Sequence, residues 1–264
     1  MGSTSDFRGK WALVTGASAG IGVAIARELA SNGAKLILTA RRQDRLEALA
    51  AEFAAQGTEV RVIQADLTDP AAPQAIYSAI EAGGLQVEIL INNAGLGQQG
   101  YFYETDLAQE LSQVRVNCEA VVHLTRLFVP RMVERRRGWV LVLASTASFQ
   151  PVPFLSTYAA TKVFDRFFAQ GLAEEVAPYG VKVTALCPGP TESEFFDVAK
   201  ATKFKGRNIQ SAEEVARLGL KALARGRRTI VPYFNGRVAA FLVRFLPVGW
   251  ITSLVARVAR PKQA

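Results

Sequence analysis

The chain has 264 residues, 50% of them hydrophobic and 20% charged, which is enough for a sizeable core in one large α/β domain or two small ones. Its only cysteines, Cys118 and Cys187, read as free thiols of a reduced, cytoplasmic protein, and a single His123 with no Cys/His cluster argues against a metal site. The net charge of +8 lies wholly in Arg225, Arg227, Arg228, Arg237, Arg244, Arg257, Arg260 and Lys262, with no acid after residue 224, so a nucleic-acid groove across the body is not expected.

Residues 1–10 are polar and the apolar run at 11–15 is too short for a secretory signal. Asp6 stands where a myristoylation signal needs a hydroxyl. A first strand at 12–15 leads into Thr15-Gly16-Ala17-Ser18-Ala19-Gly20-Ile21-Gly22, which opens a helix over 21–32. Glycines there let the backbone turn tightly and approach a pyrophosphate, while the helix N-terminus offers N–H groups and positive partial charge. Strand two, 35–40, ends at Ala40-Arg41-Arg42 before a helix over 43–56. An acid would read a bare ribose hydroxyl at this point; two guanidiniums favour a 2′-phosphate, hence NADP(H) over NAD, with Arg41 the stronger candidate. Strand three, 60–64, runs into Ala65-Asp66-Leu67. Asp66 either accepts from an adenine amino group or caps the helix over 70–82, a role for which Asp69 competes. Strand four, 89–92, ends in Asn92-Asn93-Ala94-Gly95, where small residues allow close approach and amides can tie strand ends together.

A long helix is expected over 107–136, with Asn117, a poor helix former, inside it. Strand five, 139–143, precedes three hydroxyls, Ser145, Thr146 and Ser148. The helix over 156–179 carries Tyr158 and Lys162, four residues apart and so on one face. A cation beside a phenol favours the phenolate and makes it a usable proton donor and acceptor. Strand six, 181–186, leads to Pro188, Gly189 and Thr191; a helix over 211–225 and a last strand over 229–231 follow. This alternation implies right-handed βαβ units in a Rossmann-type, doubly wound parallel sheet, with ligands beyond the carboxyl ends of the strands.

These motifs, in this order over about residues 8–232, resemble the short-chain dehydrogenase/reductase family. The resemblance implies a seven-stranded sheet and hydride transfer between a nicotinamide and a small-molecule carbonyl or alcohol. It implies that Tyr158 transfers the proton, that Lys162 holds the nicotinamide ribose and lowers the tyrosine pKa, and that Ser145, thirteen residues before Tyr158, bonds the substrate oxygen, with Ser148 as runner-up. Asn117 would bend its helix and hold a water of the proton relay. The cofactor set is Gly16, Ser18, Ala19, Gly20, Ile21, Gly22, Arg41, Arg42, Asp66, Leu67, Asn93, Ala94, Gly95, Tyr158, Lys162, Pro188, Gly189 and Thr191. A homo-oligomer is implied, formed through the helices bearing Asn117 and Tyr158. A different class of function, a catalytically silent dinucleotide sensor or scaffold, would not need Asn117, Ser145, Tyr158 and Lys162 together.

Phe149, Phe154, Phe195 and Phe196 in the flanking loops suggest an apolar pocket mouth and a hydrophobic ketone or acyl-type substrate. The division expected is a catalytic domain over 1–232 and a basic amphipathic extension over 233–264. Within the extension, Ile251, Leu254, Val255 and Val258 recur at helical spacing opposite Arg257 and Arg260. Arg244, Pro247 and Gly249 argue against a membrane span. Subunit contact, cover for the substrate pocket and peripheral docking on an anionic membrane remain open for it.

Overall fold

Short apolar runs between turn residues form a sheet buried on both faces. The computed structural model describes residues 2–195, 199 and 209–261; Phe196 and Lys262 lie outside them. The strands are β1 (Trp11–Thr15), β2 (Lys35–Ala40), β3 (Val60–Gln64), β4 (Val87–Asn92), β5 (Gly138–Leu143), β6 (Val181–Leu186) and β7 (Thr229–Ile230). They pair in the order β3-β2-β1-β4-β5-β6-β7, every pair parallel. The chain leaves β1 towards β2 and β3, then returns to place β4 on the other side of β1. A crevice opens at that reversal.

The helices are α1 (Gly20–Ser31), α2 (Gln43–Ala55), α3 (Ala72–Ala82), α4 (Leu107–Val114), α5 (Ala120–Glu134), α6 (Ser156–Val176), α7 (Ala212–Ala224), α8 (Phe234–Leu242) and α9 (Val248–Ala259). Alternate strand residues feed two layers. Ala12, Val14, Leu36 and Leu38 pack with Ile25 and Leu29 of α1, Leu46 of α2 and Val215 of α7. Leu13, Ile37 and Leu90 pack with Ile76 of α3, Leu124 of α5 and Ala169 of α6. Each fully buried Leu or Ile in these layers contributes about 1.5–3 kcal/mol.

Three expectations are corrected. The single helix over 107–136 is broken: a π-helical turn, Arg115–Glu119, separates α4 from α5, and Asn117 lies inside it, fully buried. Its side chain is drawn out to other elements, and the extra residue of a π turn accommodates that pull. Neither Asp66 nor Asp69 caps α3, whose cap residue Ala71 has no side-chain hydrogen bond. Their carboxylates instead close local turns, Asp66 accepting from Thr68 N at 3.0 Å and Asp69 from Ala71 N at 2.9 Å. In α9 the buried positions are Ile251 and Ala259, with Val255 half-buried between them, whereas Leu254 and Val258 are exposed. The core-facing stripe therefore runs at spacing four and only partly matches the expected one. Among the described residues no helix is long and apolar enough to cross a membrane.

Candidate active site

Thr15 ends β1 with its hydroxyl turned towards β4. Its Oγ1 donates to Ile91 O at 3.1 Å and accepts from the amides of Asn93 at 2.9 Å and Ala94 at 3.0 Å. Asn93 Nδ2 returns a bond to Thr15 O at 2.8 Å, and Asn92 Nδ2 donates to Thr125 Oγ1 at 3.0 Å. Asn93 thus fastens the ends of β1 and β4 at the switch point, and Asn92 ties β4 to α5. Above them the chain turns through Gly16 at φ +64° and Gly20 at φ +52°, a backbone region that favours glycine. A Cβ on Gly22 would lie 2.3 Å from Gly16 O, so only glycine lets α1 start this close to the turn.

A cavity of about 660 Å³ begins at this loop and runs along the carboxyl ends of the strands. Every residue expected at the cofactor lines it: Gly16, Ser18, Ala19, Gly20, Ile21, Gly22, Arg41, Arg42, Asp66, Leu67, Asn93, Ala94, Gly95, Tyr158, Lys162, Pro188, Gly189 and Thr191. An elongated dinucleotide fits this trough, with glycine backbone and a helix N-terminus at its centre and cations at one end. The two arginines differ there. Arg42 is engaged, its Nε and Nη2 donating to Ser18 Oγ at 3.3 and 3.2 Å and its Nη1 pairing with Glu194 at 2.7 Å. Glu194 also meets Arg45, and the two guanidiniums hold its carboxyl below the usual range, Arg45 the more strongly. Arg41 has no ion pair among the described residues and is exposed at the same end.

At the other end Ser145, Tyr158 and Lys162 come together on the cavity wall. Ser145 caps a 3-10 turn, Thr146–Phe149, by accepting from Ala147 N at 3.1 Å, and its hydroxyl lies near enough to Tyr158 to pull the phenol's pKa down. Ser148 is buried beside Cys187 and does not line the cavity, which favours Ser145 of the two candidates. Tyr158 and Lys162 share the inner face of α6, the ammonium 5.9 Å from the ring centroid. Burial pushes the Tyr158 phenol above its ordinary value; Lys162 and then Ser145 pull it down, and burial outweighs them. The lowering expected from Lys162 is present but does not set the net direction.

Lys162 Nζ donates to Leu143 O at 2.7 Å and to Asp165 Oδ2 at 2.9 Å. Burial pushes this amine down, yet the carboxylate of Asp165 and the phenol of Tyr158 more than offset it, so Lys162 is held protonated. Asn117 does not reach the cavity. Its Oδ1 accepts from Leu96 N at 2.8 Å, and its Nδ2 donates to Leu96 O and to Thr161 Oγ1, both at 2.9 Å. It joins the exit of β4 to α6 one turn from Tyr158.

Asp165 escapes a reading by motif. Its signal is a charged residue on the buried face of α6, three positions after Lys162. Phe195 was expected only as a mouth aromatic; its ring centre lies 5.1 Å from that of Tyr158. Leu254, Val255 and Val258 of α9 also line the cavity, so the extension covers its apolar end. Val255 packs on Val152, Leu155 and Ala159 to hold it there. Burial pushes the thiols of Cys118 and Cys187 up to about 12, which leaves them unreactive near neutral pH.

Comparison with known proteins bears on the same residues. A family profile described as short chain dehydrogenase matches residues 10–203. A very-long-chain 3-oxoacyl-CoA reductase of Rattus norvegicus is 33% identical over 250 residues, covering 90% of this chain and 77% of that protein. A protein of the same name from Homo sapiens is 35% identical over 230 residues, covering 84% of this chain and 70% of its own. Among solved structures, a short-chain dehydrogenase from Sphingobium yanoikuyae in complex with NADPH superposes with a TM-score of 0.81 at 31% identity, covering 97% of this chain and 98% of the other. With the seven-stranded parallel sheet and the trough at its switch point, these matches establish that the chain belongs to the short-chain dehydrogenase family and is an oxidoreductase.

Proposed function

We propose that the protein is an NADP(H)-dependent reductase of hydrophobic, acyl-type carbonyls. The observation that carries this reading is one trough with the exposed cationic Arg41 at one end and the Ser145–Tyr158–Lys162 group at the other, roofed by Phe195, Leu254, Val255 and Val258. The relatives' printed names, 3-oxoacyl-CoA reductases and an NADPH complex, support the same substrate class and cofactor.

When bound, NADPH supplies the hydride. The residues from Gly16 to Gly22 would hold its pyrophosphate, Arg41 with Arg42 would read the 2′-phosphate, and Asp66 and Leu67 would flank the adenine. Asn93, Ala94 and Gly95 would form the floor of its site, and Pro188, Gly189 and Thr191 would line the nicotinamide side. Ser145 donates to the substrate oxygen. Tyr158 then gives that oxygen a proton, and Lys162 holds the ribose while its charge favours the phenolate left behind. Asn117 acts by keeping the exit of β4 and α6 in register.

We assign residues 1–232 to the catalytic body and 233–264 to an extension that covers the pocket and touches an anionic membrane from the cytoplasmic side. Support comes from Phe234, Phe241, Phe245 and Trp250, all exposed on α8 and α9 or the turn between them, interleaved with arginines and no acid. A homo-oligomer through α4 and α6 is supported by exposed Leu107, Leu111, Val114, Phe164 and Phe167.

The test is NADPH oxidation over simple ketones, aldehydes and 3-oxoacyl thioesters of increasing chain length. Turnover that rises with acyl length is expected. Turnover confined to small polar ketones overturns the substrate class. NADPH binding with no turnover of any carbonyl favours the silent sensor.

A further inference from the structure

We propose that Asp165 is a positioning residue for Lys162: its carboxylate anchors the ammonium beneath Tyr158 and sets how much positive charge the phenol meets. Lys162 and Asp165 are 3% and 1% exposed, and Nζ lies 2.9 Å from Oδ2. The other oxygen, Oδ1, is buried without a hydrogen-bond partner. Stability alone gives little reason for such a pair, because an apolar pair of similar volume serves as well or better in an interior. The pair instead joins the site, since Lys162 lines the cavity and Asp165 stands directly behind it.

The charged and titratable groups around the pair are few. On α6 itself they are Tyr158, one turn before Lys162, and Arg166, which donates to Ser148 O at 2.9 Å. The π turn contributes Cys118, and the segment after β6 contributes Cys187, both thiols pushed up by burial. Asp165 is therefore the one anion facing Lys162 among these groups. From Tyr158, an anion behind the ammonium weakens its pull. The carboxylate raises the Tyr158 pKa while Lys162 lowers it. With Lys162 kept charged by the phenolate it faces, removing the carboxylate favours that phenolate and moves its titration to lower pH.

The effect rests on Tyr158 as the proton-transfer group, and the experiment separates the two readings. The full-length protein is titrated with NADP⁺ present, following the tyrosinate absorption band up to its alkaline unfolding. Subtracting the same protein carrying Tyr158→Phe isolates Tyr158 from the other five tyrosines. In Asp165→Asn the Tyr158 curve should move to lower pH, the direction that loss of the opposing charge dictates. Asp165→Glu, which restores the charge, should bring it back towards the parent. If Asp165→Asn does not fold, Asp165→Ser takes its place and carries the same expectation. Coincident curves, or a shift upward, overturn the proposal, and a lowered melting temperature with coincident curves marks a purely structural carboxylate. Turnover retained by Tyr158→Phe would overturn the proton-transfer reading instead.

Discussion

In the proposed reaction Tyr158 is the proton donor in reduction and the acceptor in oxidation, and its surroundings fix the pH at which each is possible. Burial raises its pKa more than Lys162 and Ser145 lower it. The donor form is protonated below that pKa, so reduction should hold through neutral pH and fall as pH rises past it; oxidation should show the opposite limb. Rate profiles in both directions check this, and a reduction rate that climbs with pH contradicts it. Tyr158→Phe should lower turnover by about 10²–10⁴-fold, the contribution of a placed general acid, with NADPH fluorescence on binding unchanged. At the far end of the trough, Arg42 is already shared between Ser18 and Glu194, whereas Arg41 is unpaired among the described residues. Arg41→Ala should therefore weaken NADPH by about 10–100-fold, the value of charge-assisted hydrogen bonds, and NADH little. Equal losses for both cofactors, measured by titration, would mean that Arg41 does not read the phosphate. Both positions were legible in the sequence because a motif or a strand end marked them. Asp165 was not, since an acid three residues from a lysine is common on exposed helix faces and only burial makes this one unusual.

Among the elements, the π turn between α4 and α5 has the clearest role. Hydrophobic periodicity runs across residues 107–136 without a visible break, and so the sequence reads as one helix. What interrupts it is a long-range demand: Asn117 makes three hydrogen bonds to Leu96 and Thr161, which belong to other elements. Asn117→Ala would leave the Leu96 amide and carbonyl and the Thr161 hydroxyl each short of a partner. A buried group so stranded costs about 1–3 kcal/mol. At this chain length each kcal/mol lowers Tm by about 2–4 °C. A fall of several degrees in thermal melting is expected, together with slower turnover because α6 loses its tie to the exit of β4. An unchanged Tm would show that the tie is dispensable. The glycine turn before α1 differs in kind, for its requirement is local. The spacing of Gly16, Gly20 and Gly22 was readable at once, and the close approach of Gly22 to Gly16 O gives its steric reason.

At the scale of the whole molecule, the extension presents two different faces. Its inner face, through Leu254, Val255 and Val258, closes the cavity. Its outer face exposes Phe241 at 59% and Trp250 at 75% beside Arg237, Arg244 and Arg257, a composition suited to an anionic bilayer surface. Phe241→Glu with Trp250→Glu changes only exposed side chains, so folding and cofactor binding should persist. Flotation on vesicles rich in phosphatidylserine should be lost in this double variant, and high salt should release the parent protein. Equal flotation of parent and variant would sink the membrane contact, and an unchanged distribution between salt conditions would remove its electrostatic part.

The sequence by itself determined the doubly wound sheet and the residues that line its cofactor trough, Ser145, Tyr158 and Lys162 among them. Those features depend on local signals: apolar runs bounded by turns, glycines at fixed spacing, and two side chains one helical turn apart. Tertiary structure alone decided what depends on distant segments meeting. It drew Asn117 into a π turn and separated Ser145 from Ser148 by burial. It committed Arg42 to Glu194 while leaving Arg41 exposed, laid α9 over the pocket, and buried Asp165 against Lys162. In each case the deciding quantity is desolvation or a hydrogen bond across more than one element, and neither is encoded in the spacing of neighbours along the chain.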